Sequence, residues 1–378
     1  MQTTDESPFN FGHPAEGLLF INRTNERKRL VANVSSHINT ILISPRRWGK
    51  TSLVHQVATD VNNRKIKFCF IDAFNIRSEE LFYYEMAKQL IKCTSTKMEE
   101  WMLTAKQFLS RITPRFTISM DKEADFHFDM NLKELKKSSD DILNLAEKIA
   151  KAKNIRIIVC IDEFQNIEFF DDPLGFQKQL RSVWQHHRHV TYVLYGSKRS
   201  MLMQLFEKQS MPFYRFGDVM YIEKIAKEHW IEFLTTRFQK TKKKISKGIA
   251  GKIADTVQCH PYYVQQLAHI VWHNTHKEVT ETIYDKSVDD LLSGNLITFQ
   301  KDFDSLSNTQ VNLVHAVSKG NIANLTRGEV VSDFNLGSSA NVIRMIRALE
   351  KKEIVEQINK KIVFLDPVFE LWLKKIFP

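Results

Sequence analysis

The sequence predicts a three-layer α/β domain with a parallel sheet, followed by an all-helical domain and a C-terminal winged helix-turn-helix. Three observations support this prediction. Apolar strand-like runs alternate with helical periodicity in the first part of the chain; strand signals then vanish; and the last part has the order helix, helix, helix, hairpin. We place the domains at residues 1–222, 223–304 and 305–378.

Four strand-like runs, each leading into a helical segment, define the first domain. They are Asn39–Ser44, Lys65–Asp72, Arg156–Ile161 and Val190–Tyr195. The third is the most apolar run in the chain, as expected of a central parallel strand that helices cover on both faces. Two alternating stretches around a turn-like Asp-Lys-Glu predict an inserted hairpin near residues 112–130.

Helical periodicity dominates the second domain and a mixed pattern the third. From Glu223 to about Asp304 the helices are separated only by polar joints and by the Cys259-His260-Pro261 turn. The third domain has helical segments at Ser307–Ser318, Thr326–Phe334 and Ser338–Lys352, then β-like segments at Ile354–Ile358 and Ile362–Leu365. This order predicts the winged helix-turn-helix.

The bulk composition is that of a folded protein, with 43% hydrophobic and 26% charged residues. No apolar run approaches the roughly 20 residues that span a bilayer, and the N-terminus lacks a signal-peptide pattern, so we expect a cytoplasmic protein without a membrane partner. The four cysteines lie far apart and indicate neither a disulfide framework nor a zinc site. The net charge of +10 favours a polyanionic partner, although runs such as Lys240–Lys247 are usually solvated surface.

The first strand leads into Ser44-Pro45-Arg46-Arg47-Trp48-Gly49-Lys50-Thr51, which has the spacing of a phosphate-binding Walker A loop with Ser44 in place of the first glycine. Gly49 lets the backbone turn so that N–H groups face phosphates, and the following helix adds its positive end. Lys50 can then reach the β- and γ-phosphates, while the Thr51 hydroxyl takes one Mg²⁺ position. The predicted nucleotide-binding residues are Pro45, Arg46, Arg47, Trp48, Gly49, Lys50, Thr51 and Ser52.

The third strand ends on the acidic pair Asp162-Glu163, which suits the second half of such a site. Asp162 would lie near Mg²⁺ with Thr51, and Glu163 would polarise the attacking water; the alternative is a strand followed by a helix-capping acid. Parallel strands end at one edge of the sheet, so Asp72 and Ser197 should lie there too. Ser197 is a candidate catalytic sensor with Lys50 and Glu163, or equally a plain turn serine.

Other polar clusters carry weaker signals. Arg199 and Arg215 are candidate phosphate-facing cations, although surface arginines are common. The run from His186 to His189 contains an arginine and has no carboxylate or cysteine at metal-ligand spacing, so it is interpreted as a polar helix end.

Over nearly its whole length the chain resembles the P-loop ATPases first noted as an archaeal family, within the STAND clade of AAA+ proteins and also found in bacteria. The matching pieces are Phe20-Ile21-Asn22-Arg23 with Glu26, the loop Pro45 to Leu53, Ile161-Asp162-Glu163-Phe164-Gln165, Gly196-Ser197, Cys259-His260-Pro261-Tyr262-Tyr263, and Leu365-Asp366-Pro367-Val368-Phe369 with Trp372. The resemblance implies ATP as the nucleotide, with Phe20, Ile21 and Arg23 bordering the adenine. It also implies that His260 and Pro261, in a helical lid, approach the phosphates. The family usually has glycine where this chain has Ser44.

Three functions remain open at the level of sequence. The first is an ATP-hydrolysing conformational switch that binds ATP or ADP with Mg²⁺. The second is a DNA-binding regulator with structurally bound nucleotide, since Arg344, Arg347, Lys351 and Lys352 lie on the third helix of the winged helix-turn-helix, where double-stranded DNA would be contacted. The third is an interaction scaffold for a protein partner.

Overall fold

The computed structural model divides the chain into two compact units. The first comprises the described residues between 16 and 223, and the second those up to residue 15 and from 224 onward. The structure describes residues 6–15, 17, 20–61, 63–95, 98–109, 116–120, 126–130 and 136–377.

The first unit alternates helices and strands along the chain. In order they are α1 (Thr24–Ser35), β1 (Thr40–Ile43), α2 (Lys50–Asp60), β2 (Ile66–Asp72), α3 (Glu79–Thr94), α4 (Met98–Leu109), β3 (Phe116–Met120), β4 (Phe126–Met130), α5 (Ser139–Leu143), α6 (Leu145–Lys153), β5 (Arg156–Asp162), α7 (Pro173–Trp184), β6 (Val190–Gly196), α8 (Arg199–Glu207) and β7 (Asp218–Tyr221). A short 3₁₀ helix, Phe164–Phe169, follows β5.

A five-stranded parallel sheet in the order β2-β5-β6-β1-β7 forms the middle layer. Alternate residues of the central strand β5 enter different apolar cores, because successive side chains point to opposite faces. Ile158 and Cys160 pack in the core that contains α1 and α2, while Ile157, Val159 and Ile161 pack in the core that contains α3 and α7. The predicted three-layer arrangement is confirmed.

Strand β7, which the sequence analysis did not predict, completes the sheet beyond β1. It contains only four residues, with Val219 as its single β-branched member, so its pattern is too short to stand out. It is a strand because β1 offers it a parallel partner, with Thr40 opposite Asp218. The alternating stretches of the predicted hairpin pair antiparallel as β3 and β4; their connecting residues lie outside the described residues.

The second unit is helical except for one short hairpin. Its elements are α9 (Lys227–Lys240), α10 (Lys247–Thr256), α11 (Pro261–Asn274), α12 (Glu281–Asp304), α13 (Asn308–Ser318), α14 (Gly328–Asp333), α15 (Ser339–Lys351), β8 (Val355–Ile358), β9 (Lys361–Phe364) and α16 (Pro367–Ile376). The antiparallel pair β8 and β9 follows three helices, so the predicted winged helix is confirmed. Among the described residues, none of the helices is long and apolar enough to span a bilayer.

Local capping explains several helix starts that the sequence predicted. Ser78 accepts a hydrogen bond from the Leu81 amide at the start of α3. Ser307 and Gln310 form a reciprocal capping box at the start of α13. The final helix α16, which the sequence analysis did not predict, is capped by Asp366.

The N-terminal segment belongs to the second unit, whereas the sequence analysis placed it in the first domain. Phe9 is buried, and its ring contacts Phe233 and Phe238 on α9. The amide of Asn10 donates to the Gln265 side chain on α11. Burial of one aromatic ring decides this placement, and no periodic pattern in a ten-residue segment can reveal it.

Candidate nucleotide site

The order of the strands brings the predicted polar residues to one edge of the first unit. Strand β6 lies between β1 and β5, so Ser197 at its carboxyl end stands between the loop after β1 and the acidic pair after β5. Asp72 and Asp162 are direct register partners at the ends of β2 and β5. This edge is where open α/β sheets bind ligands.

The loop between β1 and α2 turns on a glycine. Gly49 has a φ of +88°, in the left-handed region that residues with a Cβ avoid, and it directly precedes Lys50, the first residue of α2. Arg47 also has a positive φ, of +60°. Ser44 does not, so its position makes no steric demand for glycine. The exchange of glycine for Ser44 therefore leaves the loop turn intact.

Lys50 is a buried ammonium surrounded by neutral oxygens, and only 5% of the residue is exposed. Its Nζ donates to the carbonyls of Ser44 and Pro45, both at 2.9 Å, and to Ser44 Oγ at 3.3 Å. Burial lowers the pKa of Lys50 to about 8, although Asp162 and Glu163 act in the opposite direction. A charge held this way gains strongly from an anionic partner such as a phosphate group.

Thr51 and Asp162 are joined across the sheet edge. The Thr51 hydroxyl donates to Asp162 Oδ2 at 2.8 Å, and the amide of Glu163 donates to Oδ1 at 2.8 Å. Burial raises the pKa of Asp162 to about 6, against the hydrogen bond from Thr51, which favours the ionised form. The carboxylate is therefore mostly ionised at neutral pH.

This pair fits Mg²⁺, which takes oxygen ligands and usually keeps waters and substrate phosphates in its shell. Within the described part of the chain, no group of three or more His, Cys, Asp and Glu side chains is placed to hold a metal. A hydroxyl and one carboxylate beside a phosphate loop match the ion's preference for sharing its ligands with phosphate.

Glu163 has one carboxylate oxygen held by three donors. Oε2 accepts from the Ser197 hydroxyl at 2.9 Å, from the Ser197 amide at 3.3 Å and from Gln165 Nε2. The backbone of Glu163 is left-handed, with a φ of +50°, where the chain leaves β5 for the 3₁₀ helix. Such a conformation in a residue with a side chain is often found at functional sites.

Gln165 was quoted in the resemblance but not predicted as a site residue. It is fully buried, and a Cβ on Gly196 would lie 1.8 Å from its Oε1. Glycine at position 196 is therefore what allows Gln165 to reach Glu163. Sequence spacing reveals only that Gln165 follows the acidic pair; the proximity to β6 is a property of the sheet.

The segment before α1 contacts the loop through a buried arginine. Arg23 Nη2 donates to the Trp48 carbonyl at 3.0 Å, and Nη1 donates to Glu26 at 2.9 Å and to the Glu223 carbonyl. Burial lowers the pKa of Arg23, and Glu26 opposes that shift. Next to it, Phe20 packs against the core of α1 and α2, and Ile21 is half-buried.

The remaining predicted residues have varied positions. Ser52 is buried in α2, and Arg46 Nε donates to Ser197 Oγ at 3.2 Å. Arg199 lies over the Tyr221 ring and Arg215 is exposed over the Tyr214 ring.

His260 and Pro261 belong to the second unit. His260 is buried at the N-cap of α11, and Pro261 is that helix's first residue. The predicted approach of both residues to the phosphates remains a prediction.

Comparisons with known proteins agree with this architecture. Residues 20–267 match the family described as an ATPase domain predominantly from Archaea, and residues 297–375 match a probable winged helix domain. A comparison with curated proteins finds no match.

Solved structures share the fold along nearly the whole chain. A Walker-type ATPase of Pyrococcus abyssi is 16% identical with a TM-score of 0.68, covering 97% of this chain and 99% of its own. The ORC2 protein of Aeropyrum pernix, in ADPNP–ADP complexes, is 12% identical with a TM-score of 0.57, covering 99% and 98%. The ORC1 protein of the same organism, in complex with DNA, is 11% identical with a TM-score of 0.50, covering 95% and 94%.

The first match spans well over half of the chain, from Phe20 to Leu267, and includes both the phosphate loop and the acidic pair. The chain therefore belongs to the family of ATPase domains found predominantly in Archaea, and it carries a C-terminal winged helix domain.

Proposed function

We propose that the chain is an ATP-binding and ATP-hydrolysing conformational switch of the AAA+/STAND type. In this proposal, Mg²⁺-dependent hydrolysis is coupled to movement of a helical lid, residues 223–304, and of the winged helix, residues 305–378. The observation that carries the proposal is the meeting of a buried Lys50, the Thr51–Asp162 pair and a held Glu163 at one sheet edge.

Lys50 would bind the β- and γ-phosphates. Its ammonium is buried among neutral carbonyl oxygens, so phosphate charge would replace an interaction that is now uncompensated. The backbone amides that follow Gly49 would add donors at the positive end of α2. Pro45, Arg46, Arg47, Trp48 and Ser52 complete this proposed phosphate cradle.

Thr51 and Asp162 would hold Mg²⁺, with the remaining positions left to water and phosphate oxygens. When bound, the ion supplies neutralisation of the negative charge that develops on the transferred phosphoryl group. Asp162 is suited to this role because its carboxylate is oriented by Thr51 and by the Glu163 amide.

Glu163 would orient the attacking water and accept its hydrogen bond. Because three donors hold Oε2, the side chain has a defined orientation in which its second oxygen can face a water molecule. Ser197 would act as the polar sensor beside it. Phe20, Ile21 and Arg23 would border the adenine, and His260 and Pro261 would approach the phosphates from the lid.

The test is ATP turnover with and without Mg²⁺ in the wild type and in Glu163→Gln, together with nucleotide affinity for both. We expect the variant to lose turnover at least 100-fold while it keeps ATP binding, since the amide preserves shape but cannot accept the proton. Equal, near-background rates in both proteins would favour structurally bound nucleotide instead. A variant that turns over ATP like the wild type would refute the role of Glu163.

A second candidate function is DNA-dependent regulation through the winged helix. Arg344, Arg347, Lys351 and Lys352 are exposed on or just after α15, opposite its buried Val342–Met345–Leu349 side. An exposed cationic helix of this kind can contact the phosphates of a DNA groove. A surface for a protein partner is the alternative use of the same helix.

Salt dependence distinguishes these uses. If duplex DNA binds there, its affinity should fall steeply with salt, and replacing Arg344, Arg347 and Lys351 by alanine should flatten that slope by about three. Lys374→Ala with Lys375→Ala is the matched control, because these two cations pair with Glu370 and Asp289. DNA binding that is absent or insensitive to salt would exclude this candidate.

A further inference from the structure

An unbroken hydrogen-bonded chain joins the phosphate loop to the carboxylate of Glu163. Arg46 Nε donates to Ser197 Oγ at 3.2 Å, and Ser197 Oγ donates to Glu163 Oε2 at 2.9 Å. Arg46 belongs to the loop after β1, Ser197 to the end of β6 and Glu163 to the end of β5. Three neighbouring strand ends are thus connected through side chains.

The direction of this chain is set by the chemistry of its members. An arginine side chain only donates hydrogen bonds, whereas a serine hydroxyl has one hydrogen and can also accept. When Arg46 occupies an acceptor position on Ser197 Oγ, the hydroxyl hydrogen is directed away from the guanidinium, toward Glu163. Without Arg46 the hydroxyl is free to rotate to other acceptors.

The two partners of Arg46 are far better fixed than Arg46 itself. Ser197 is buried and follows Gly196, which is in register with Ile43 of β1. Glu163 is fixed by its left-handed backbone and by Gln165. Arg46 is exposed, so it is the member of the chain whose position can change with the state of the loop.

We infer that Arg46 is a positioning residue that acts through the Ser197 hydroxyl to align Glu163, so that the phosphate loop and the water-orienting carboxylate are set together. This inference rests on the proposed hydrolytic function. Arg46 need not touch the reacting atoms in this role; it selects which way Ser197 donates. The competing explanation is that Arg46 acts alone, as a cation on the phosphates.

A double-mutant cycle separates the two explanations. We would measure single-turnover rates and ATP affinity for the wild type, Arg46→Ala, Ser197→Ala and the double variant. If Arg46 acts through Ser197, each single change should slow turnover about tenfold or more, and the double variant should be no slower than Ser197→Ala alone. ATP affinity should change less than about threefold for Arg46→Ala, because the lost contact orients a carboxylate.

Two further variants sharpen the result. Arg46→Lys keeps the positive charge but not the planar guanidinium with its Nε donor, so it should not restore the rate. Arg47→Ala removes a neighbouring loop arginine, and its effect should multiply with that of Ser197→Ala. The inference is overturned if Arg46→Ala and Ser197→Ala multiply in the same way, if lysine rescues the rate, or if Arg46→Ala weakens only ATP affinity.

The failure of this inference differs from the failure of the proposed function. Loss of turnover in Glu163→Gln together with multiplying effects at Arg46 and Ser197 overturns the inference alone. Wild-type turnover in Glu163→Gln, or no turnover in the wild type, overturns both.

Discussion

Replacing Lys50 by methionine should abolish nucleotide binding without destabilising the nucleotide-free protein. Burial holds the pKa of Lys50 at about 8 instead of 10.5, which corresponds to a cost of about 3 kcal/mol for keeping the ammonium charged in the folded state. Methionine removes this cost and fills a similar volume. It also leaves the carbonyls of Ser44 and Pro45 without their donor, at about 1 kcal/mol each.

The balance predicts that Lys50→Met is between equally stable and about 2 kcal/mol more stable than the wild type. For a protein of this size, that corresponds to a rise in Tm of up to about 5 °C. Mg²⁺ and ADP at about 100 times Kd should add about 2.7 kcal/mol to the stability of the wild type and nothing to that of the variant.

The pH dependence has a definite sign. Below pH 8 the lysine is protonated in both the folded and the unfolded chain, so the full cost is present. Between pH 8 and 10.5 the folded chain releases the proton while the unfolded chain retains it, and the cost declines as the pH rises. The stability difference between wild type and Lys50→Met should therefore shrink over that interval.

The assay is thermal unfolding followed by circular dichroism, at pH 7 and pH 9.5, with and without Mg²⁺ and ADP. Lys178→Met is the matched control, because Lys178 is exposed and its removal should change the Tm little. The reasoning would be refuted if Lys50→Met unfolded several degrees below the wild type and kept its stabilisation by ADP.

Three further predictions address other parts of the molecule. The affinity for Mg²⁺ with nucleotide should fall as the pH drops through about 6, where Asp162 becomes protonated; titration calorimetry should find that Asp162→Asn lacks this part of the pH dependence. Gly196→Ala should slow ATP turnover about tenfold or more while Tm and ATP affinity change little, because its methyl group would displace Gln165 from Glu163; an unchanged rate would contradict this. Phe9→Ala should destabilise the second unit by about 3–5 kcal/mol through loss of a buried ring, visible in hydrogen exchange of α9, and unchanged protection there would count against it.

Local chemistry in the sequence was sufficient to predict the elements that carry the fold. An apolar β5 ending in Asp162, a glycine before Lys50 and capping residues such as Ser78 each act over a few neighbouring residues, so they can be read from the chain. Consequently the parallel three-layer domain and the winged helix were predicted. The predicted roles of the site residues and the predicted domain boundaries remain predictions.

The tertiary structure decided what depends on partners distant in sequence. Strand β7 exists because β1 offers an open edge, and Phe9 lies in the second unit because aromatic rings on α9 bury it. The strand order places β6 between β1 and β5, and that order alone brings Arg46, Ser197 and Glu163 into one hydrogen-bonded chain. The sequence by itself determined which chemical groups stand at the strand ends; packing determined which of them meet, because hydrogen bonds and burial act over a few ångströms in space and not along the chain.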